Sequence, residues 1–132
     1  MTVLVDSSAL IELLIDGPAI EWVAEQLSLL SDEVFTINAL IYAEVSVPYA
    51  DPADLDADLD RLFFERLPLP YEAAFMAGKA FQAYRARGGS RSSPLPDFYI
   101  GAHAQVSNLT LLTRDARRFR TYFPEVDLIA PG

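Results

Sequence analysis

Four acids in this chain stand where residue type and position allow chemistry. Asp6 ends a short apolar, β-branched run, Thr2-Val3-Leu4-Val5, and two small hydroxyl residues, Ser7 and Ser8, follow it. Glu44 sits among Ile41, Tyr42, Val45 and Val47, shortly after the run Glu33–Ile37. Asp97 follows Pro96 at the start of a segment with helical character, and Asp115 comes just after the run Leu109–Thr113. A buried strand that stops at an acid delivers it to the strand's C-terminal end, the edge where open parallel sheets bind ligands.

Each acid has a plain structural alternative. Asp6 and Asp115 could cap the helices that follow them. Asp97 would lie in a first helical turn, where the dipole favours acids. Glu44 could be an exposed flank of its helix. Capping alone, however, does not gather four acids. In a parallel sheet two strand ends and two early helical turns fall along one edge.

Such a gathering has an electrostatic consequence. Two unit charges about 4 Å apart repel by roughly 4 kcal/mol at an effective dielectric near 20. Several such pairs require protonation or a cation. Every ligand offered is an oxygen and the chain has no cysteine, which selects Mg²⁺ or Mn²⁺ over zinc or copper. An ion of that kind activates water and stabilises charge on phosphate oxygens, the chemistry of phosphodiester hydrolysis. Competing schemes fit less well. The only histidine, His103, lies six residues from Asp97 on another helical face and reads as structural. Gly88-Gly89 is no Walker-type phosphate loop. A haloacid-dehalogenase-like phosphatase wants a second aspartate two residues after the first, where this chain has Ser8. A phosphoacceptor receiver domain wants a strand-end lysine, and the only lysine, Lys79, is mid-helix.

The elements that must position these acids are readable in order. After the strand Thr2–Val5, Leu10, Ile11, Leu13 and Leu14 recur at helical spacing, with Ser7 or Ser8 as cap. A second helix is expected from Pro18 to Leu30, a strand over Glu33–Ile37, and a helix from Ala39 to Val47 capped by Asn38. Asp51-Pro52 starts a helix running to about Arg66, with Leu55, Leu59, Leu62 and Phe63 as its stripe. Its outer acids, Asp54 to Asp60, lack an EF-hand glycine and terminal glutamate and read as a solvated face. Arg66–Leu69 suits a short edge strand. A long helix over Tyr71–Ala86 has Phe75, Met76, Lys79, Ala80 and Ala83 near one seam, and a flexible basic loop covers Arg87–Ser93. The helix from Pro96 to Val106, the strand Leu109–Thr113, a short helix over Asp115–Phe119 and a strand over Asp127–Ala130 complete the chain. Strands alternating with helices imply a mostly parallel sheet of about five strands covered on both faces, an α/β architecture.

Composition bounds the reading. The 132 residues suit one domain over 1–132, and the 52% hydrophobic fraction excludes disorder. The N-terminus lacks a positive n-region, and Asp6 and Glu12 interrupt its apolar stretch, so neither a signal peptide nor a membrane span is expected and a cytoplasmic setting is. The net charge of -9 is unevenly split: residues 1–72 hold fifteen acids against two bases, residues 73–132 four acids against eight bases. A local basic surface can therefore meet phosphates on an acidic protein, because exposed charges beyond about 8–10 Å are screened.

The four blocks together resemble the PIN-domain ribonucleases, specifically the VapC toxins of toxin–antitoxin modules, over essentially the whole chain. The matching segments are Val3-Leu4-Val5-Asp6-Ser7-Ser8-Ala9-Leu10, Ala39-Leu40-Ile41-Tyr42-Ala43-Glu44-Val45, Pro96-Asp97-Phe98-Tyr99-Ile100-Gly101-Ala102-His103-Ala104 and Leu111-Leu112-Thr113-Arg114-Asp115-Ala116-Arg117-Arg118-Phe119. Tyr99 and Gly101 are the less typical members of the third. The resemblance implies a three-layer α/β/α fold and Mg²⁺- or Mn²⁺-dependent endoribonuclease activity leaving 5′-phosphate and 3′-hydroxyl ends. It implies Asp6, Glu44, Asp97 and Asp115 as catalytic metal ligands, with Thr113, Ser7 and Asn38 supporting the carboxylates. It further implies a homodimer and a VapB-type antitoxin whose C-terminal segment covers the acids, where an arginine could replace the metal's charge. RNA phosphate contacts are expected from Arg85, Arg87, Arg91, Arg114, Arg117 and Arg118. A PIN fold used only as a non-catalytic interaction module is the alternative, and four intact acids disfavour it.

Overall fold

The computed structural model describes residues 1–91 and 95–132. Five strands, β1 (Thr2–Val5), β2 (Val34–Ile37), β3 (Glu65–Arg66), β4 (Thr110–Leu112) and β5 (Leu128–Ile129), form one sheet in the order β3-β2-β1-β4-β5. Every neighbouring pair is parallel. Val3, Leu4 and Val5 of the central strand are all fully buried. Both faces of the sheet are therefore covered, the condition under which parallel sheets are stable.

The described residues form seven helices: α1 (Ser7–Leu14), α2 (Ile20–Leu29), α3 (Ala39–Val45), α4 (Pro52–Arg61), α5 (Tyr71–Ala86), α6 (Pro96–Val106) and α7 (Arg117–Tyr122). The chain builds outward from β1 to β2 and β3, then returns to the other side of β1 for β4 and β5. The strand order thus reverses at β1, and a crevice opens past the C-terminal ends of β1 and β4. Asp6 and Asp115 follow those two strands.

Helix α6 is the hub, packed on α3, α5, α7 and β4. Phe98, Ile100, Ala102 and His103 are all buried, as expected of a helix enclosed nearly all round. Gly101 is required by a close approach, since a Cβ there would come within 2.3 Å of the Phe123 ring.

Several boundaries differ from the sequence reading. Asp6, not Ser7 or Ser8, caps α1, accepting the Ser7 N–H. Helix α4 ends at Arg61 rather than near Arg66, because Phe63 turns to φ 61° and the Phe64 N–H reaches back to the Leu59 carbonyl. Phe63 accordingly leaves the expected stripe and is 84% exposed. The edge strand β3 is Glu65–Arg66 rather than Arg66–Leu69. The inner seam of α5 is Ala73 and Ala77, with Met76 and Ala80 partly buried beside them, whereas Phe75 points out. Small side chains let α5 approach α6 closely, a packing term that hydrophobicity ranking misses. Of the expected loop Arg87–Ser93, Ser92 and Ser93 lie outside the described residues.

Candidate active site

Asp6 forms the floor of the crevice, 3% exposed. Its N–H extends the β1–β4 ladder to the Leu112 carbonyl at 2.8 Å. Its Oδ1 accepts the Ser7 N–H at 2.9 Å, and its Oδ2 accepts the Ser8 and Thr113 hydroxyls, each at 2.8 Å. Burial raises the Asp6 pKa from the ordinary aspartate value; the Thr113, Ser8 and Ser7 hydrogen bonds oppose the rise and the Asp97 charge adds to it.

The other three acids stand around this floor. Glu44 projects from α3, and its Oε1 accepts the Ser7 hydroxyl at 2.9 Å. Its pKa is raised by loss of surrounding water, and further by the charges of Asp6 and Asp97. Asp97 lies in the first turn of α6, and its Oδ2 accepts from Arg118 Nη1 at 3.0 Å. Burial still raises its pKa against that guanidinium, with Asp115 adding repulsion. Asp115 is exposed; its N–H donates to Thr113 Oγ1 at 3.2 Å and its Oδ1 accepts the Arg117 N–H at 3.4 Å. All four acids, with Ser7 and Ser8, line one cavity of about 360 Å³. A separate cavity of about 480 Å³ near Tyr42 contains none of them, and its Asp56 and Arg66 pair with each other at 3.0 Å.

Asn38 is placed differently. It caps α3 through Oδ1, which accepts the Ile41 N–H at 3.0 Å, and its Nδ2 donates to His103 Nδ1 at 3.0 Å. Burial lowers the His103 pKa, keeping the ring neutral and its Nδ1 free to accept. Asn38 therefore spends its amide on the start of the helix that carries Glu44, and on none of the four carboxylates.

Two contributors were not legible in the sequence. Ser8 binds Asp6 and also accepts the Arg114 N–H at 3.0 Å, tying α1 to the loop that carries Asp115. Glu12 is a 3% exposed acid on α1 whose carboxylate pairs with Arg114. Its surroundings are close enough that a Cβ on Gly17 would overlap its carboxylate. The visible signal was an acid inside the run Leu10–Leu14, but its partner lies about a hundred residues away.

The donor chemistry fits a hard divalent ion: oxygen ligands only, with three of four carboxylates pushed toward protonation in its absence. Among the described residues, no group of three or more acids or histidines is placed to hold a metal ion as it stands. Arg118 pairs with Asp97.

Residues 3–124 match the family model for the PIN domain. The chain belongs to the PIN domain family. A comparison with curated proteins gives no match. Among solved structures, this PIN domain is similar to VapBC2 from Rickettsia felis bound to a DNA fragment from their promoter, with 19% identity, TM-score 0.76 and full coverage of both chains. It is also similar to VapBC-1 from nontypeable Haemophilus influenzae (20% identity, TM-score 0.73, 98% of each chain). A third is a toxin–antitoxin complex from Klebsiella pneumoniae (22% identity, TM-score 0.70, 98% of each chain). These likenesses establish the fold.

The arginines of this PIN domain divide into groups. Arg114 is committed to Glu12 and Arg118 to Asp97. Arg85 donates to the Arg91 carbonyl, and the Arg87 guanidinium lies 5.2 Å from the centre of the Tyr122 ring. Arg91 and Arg117 are exposed. No helix among the described residues is long and apolar enough to cross a membrane.

Proposed function

We propose that this PIN domain, taken as one unit over residues 1–132, is an Mg²⁺- or Mn²⁺-dependent endoribonuclease and the toxin of a VapBC-type module in the cytoplasm. One observation carries the reading: four carboxylates from the β1–α1 junction, α3, α6 and the β4–α7 loop line one cavity at the switch point of a parallel sheet. PIN-domain nucleases generally use divalent metal ions. Asp6, Glu44, Asp97 and Asp115 would hold the ion, which when bound supplies charge for the phosphate oxygens and a more acidic water.

The chain's own residues do the rest. Ser7, Ser8 and Thr113 fix the Asp6 carboxylate in one orientation, so little reorganisation is needed when phosphate charge develops. Glu44 and Asp97 stand on the wall of the same cavity, where a carboxylate can hold a water by hydrogen bond and take its proton. Arginines 91 and 117 are available to phosphates. The kinship with VapBC complexes supports a VapB-type antitoxin as partner, and the proposed working assembly is a homodimer. An arginine already rests on Asp97, so an antitoxin arginine reaching the same acids is chemically reasonable.

The test is RNA cleavage by purified protein with Mg²⁺, with Mn²⁺ and with EDTA. Cleavage is expected with either ion and lost in EDTA. Asp6→Asn should lower it by roughly a thousandfold, the scale of several kcal/mol of charge stabilisation. Equal cleavage by wild type and variant, or no cleavage with either ion, would leave the non-catalytic interaction module as the better reading.

A further inference from the structure

A second cavity, of about 470 Å³, opens beside the acid pocket and shares Asp97 and Asp115 with it as a common wall. Its other lining is of opposite character: Tyr84, Tyr122, Thr121, Arg117 and Arg118. Resting on the ribonuclease reading above, we infer that this cleft is a subsite for one unpaired nucleobase of the RNA strand, stacked on Tyr122 and walled by Tyr84.

The cleft has a built aromatic wall. Tyr122 meets the buried Phe98 ring edge-on, with centroids 5.3 Å apart and planes at 88°. It meets Tyr84 at 6.4 Å and 65°, and Tyr84 in turn packs on Phe98 at 5.6 Å. Rings held on several sides lose little freedom on binding, which is what a stacking platform needs. The Arg87 guanidinium, a planar group, lies over the Tyr122 ring, and a base stacking on that face takes its place. A nucleobase offers another flat surface to such a face, and arginine stacking and base stacking commonly share one site in single-strand binders. Gly89 lies so close to Tyr84 that a Cβ there would come within 2.2 Å of its ring. The chain after α5 thus packs against Tyr84 and holds its ring in place.

Charge gives the direction of approach. A phosphate nearing Asp6, Glu44, Asp97 and Asp115 without a cation meets repulsion. On the cleft side, the same phosphate meets Arg117 and Arg118. A strand that sets its backbone at Asp97 and Asp115 has its neighbouring base over the tyrosines. A base paired in a helix cannot leave its stack without cost, so the cleft selects unpaired nucleotides.

The experiment uses the full chain and an unstructured RNA oligonucleotide with one mapped cleavage site. A single abasic nucleotide is moved through the positions flanking the cleaved bond. Cleavage is followed with Mn²⁺, and binding by anisotropy with the Asp6→Asn protein. One abasic position next to the bond is expected to weaken binding on the order of tenfold, a typical stacking contribution. Tyr122→Leu should cause the same loss and make that abasic substitution neutral, while Tyr122→Phe, which keeps the ring, restores both. If RNA is cleaved but every abasic position binds like intact RNA, the subsite is refuted and the ribonuclease reading stands. If wild type neither binds nor cleaves RNA, both fall. Should Tyr122→Leu fail to fold, the abasic scan on otherwise intact protein decides alone.

Discussion

The floor and the rim of the acid pocket are built on different principles. Asp6 on the floor is buried and receives three hydrogen bonds within 2.9 Å, from Ser7, Ser8 and Thr113. Behind it, Ser8 accepts the Arg114 N–H and the Arg114 side chain pairs with buried Glu12, so α1 and the β4–α7 loop are fastened twice. On the rim, Glu44 accepts one hydroxyl, Asp97 one guanidinium, and Asp115 one long bond from its own chain. The floor is fixed before any cation arrives, whereas the rim acids hold partners they can exchange. That contrast reconciles a cavity lined by four carboxylates with the absence, among the described residues, of three or more acids or histidines placed to hold a metal ion as they stand.

The sharpest way to break the contrast is Thr113→Val. The threonine is fully buried, and its hydroxyl donates to Asp6 and accepts the Asp115 N–H. Valine keeps the volume and removes both bonds. Loss of a partner that orients a metal ligand typically costs about 10–100-fold in metal affinity or activity. That range is expected for RNA cleavage and for the Mn²⁺ concentration giving half-maximal thermal stabilisation. A rim substitution of similar modesty, Ser7→Ala, should cost less on both measures. Equal losses would mean the floor is no more fixed than the rim.

The pH dependence of the metal-free protein is a second, smaller effect. Asp6, Glu44 and Asp97 all have folded pKa values above their ordinary ones of 3.8, 4.5 and 3.8. The folded state therefore binds more protons than the unfolded state just above the ordinary carboxylate range. Their contribution to stability is complete below the unfolded values and is lost as pH rises through the folded values. In EDTA, Asp6→Asn should gain stability relative to wild type as pH rises from about 4 to 7. Saturating Mn²⁺ should reverse the ranking at neutral pH. Denaturant melts of both proteins at each pH check this, with unrelated titrations cancelling in the difference. A difference independent of pH would show that Asp6 carries no excess charge cost.

Much of this was legible because strand ends and helix starts leave local marks. The β-branched run before Asp6, the Asn38 cap and the Pro96-Asp97 pair each specify an element and the acid it carries. The sheet order then follows from alternation and handed crossovers. What stayed hidden was pairwise and long-range. The Glu12–Arg114 pair joins residues on different elements, and neither side chain alone announces the other. The resemblance implies Asn38 as a support of the carboxylates, but its amide is taken by Ile41 and His103, contacts set by the α3 cap and by how α3 packs on α6. Phe63 scored as core by hydrophobicity, yet its left-handed backbone swings it into solvent. The Tyr84–Tyr122 cleft brings together the end of α5 and the end of α7, which no sequence window spans.

Arg118 offers the finest test of the rim. It supplies a positive charge to Asp97 while its guanidinium also lies 5.9 Å from the centre of the Phe98 ring. Both partners of the ion pair are about one-third exposed, so solvent screens the contact and its value is about 0.2–1 kcal/mol. A divalent ion that takes Asp97 must displace this guanidinium or share the carboxylate with it. Arg118→Gln removes the competing charge and keeps a polar side chain of similar reach. The Mn²⁺ midpoint should therefore fall by about 1.4- to fivefold, the same free energy expressed as affinity. RNA affinity measured at fixed saturating Mn²⁺ should move the opposite way, because a cation beside the phosphate path is lost. An unchanged midpoint with weaker RNA binding would assign Arg118 to the substrate alone. A midpoint raised by the substitution would mean that Arg118 holds Asp97 in its metal-binding position, and the rim would then be as pre-set as the floor.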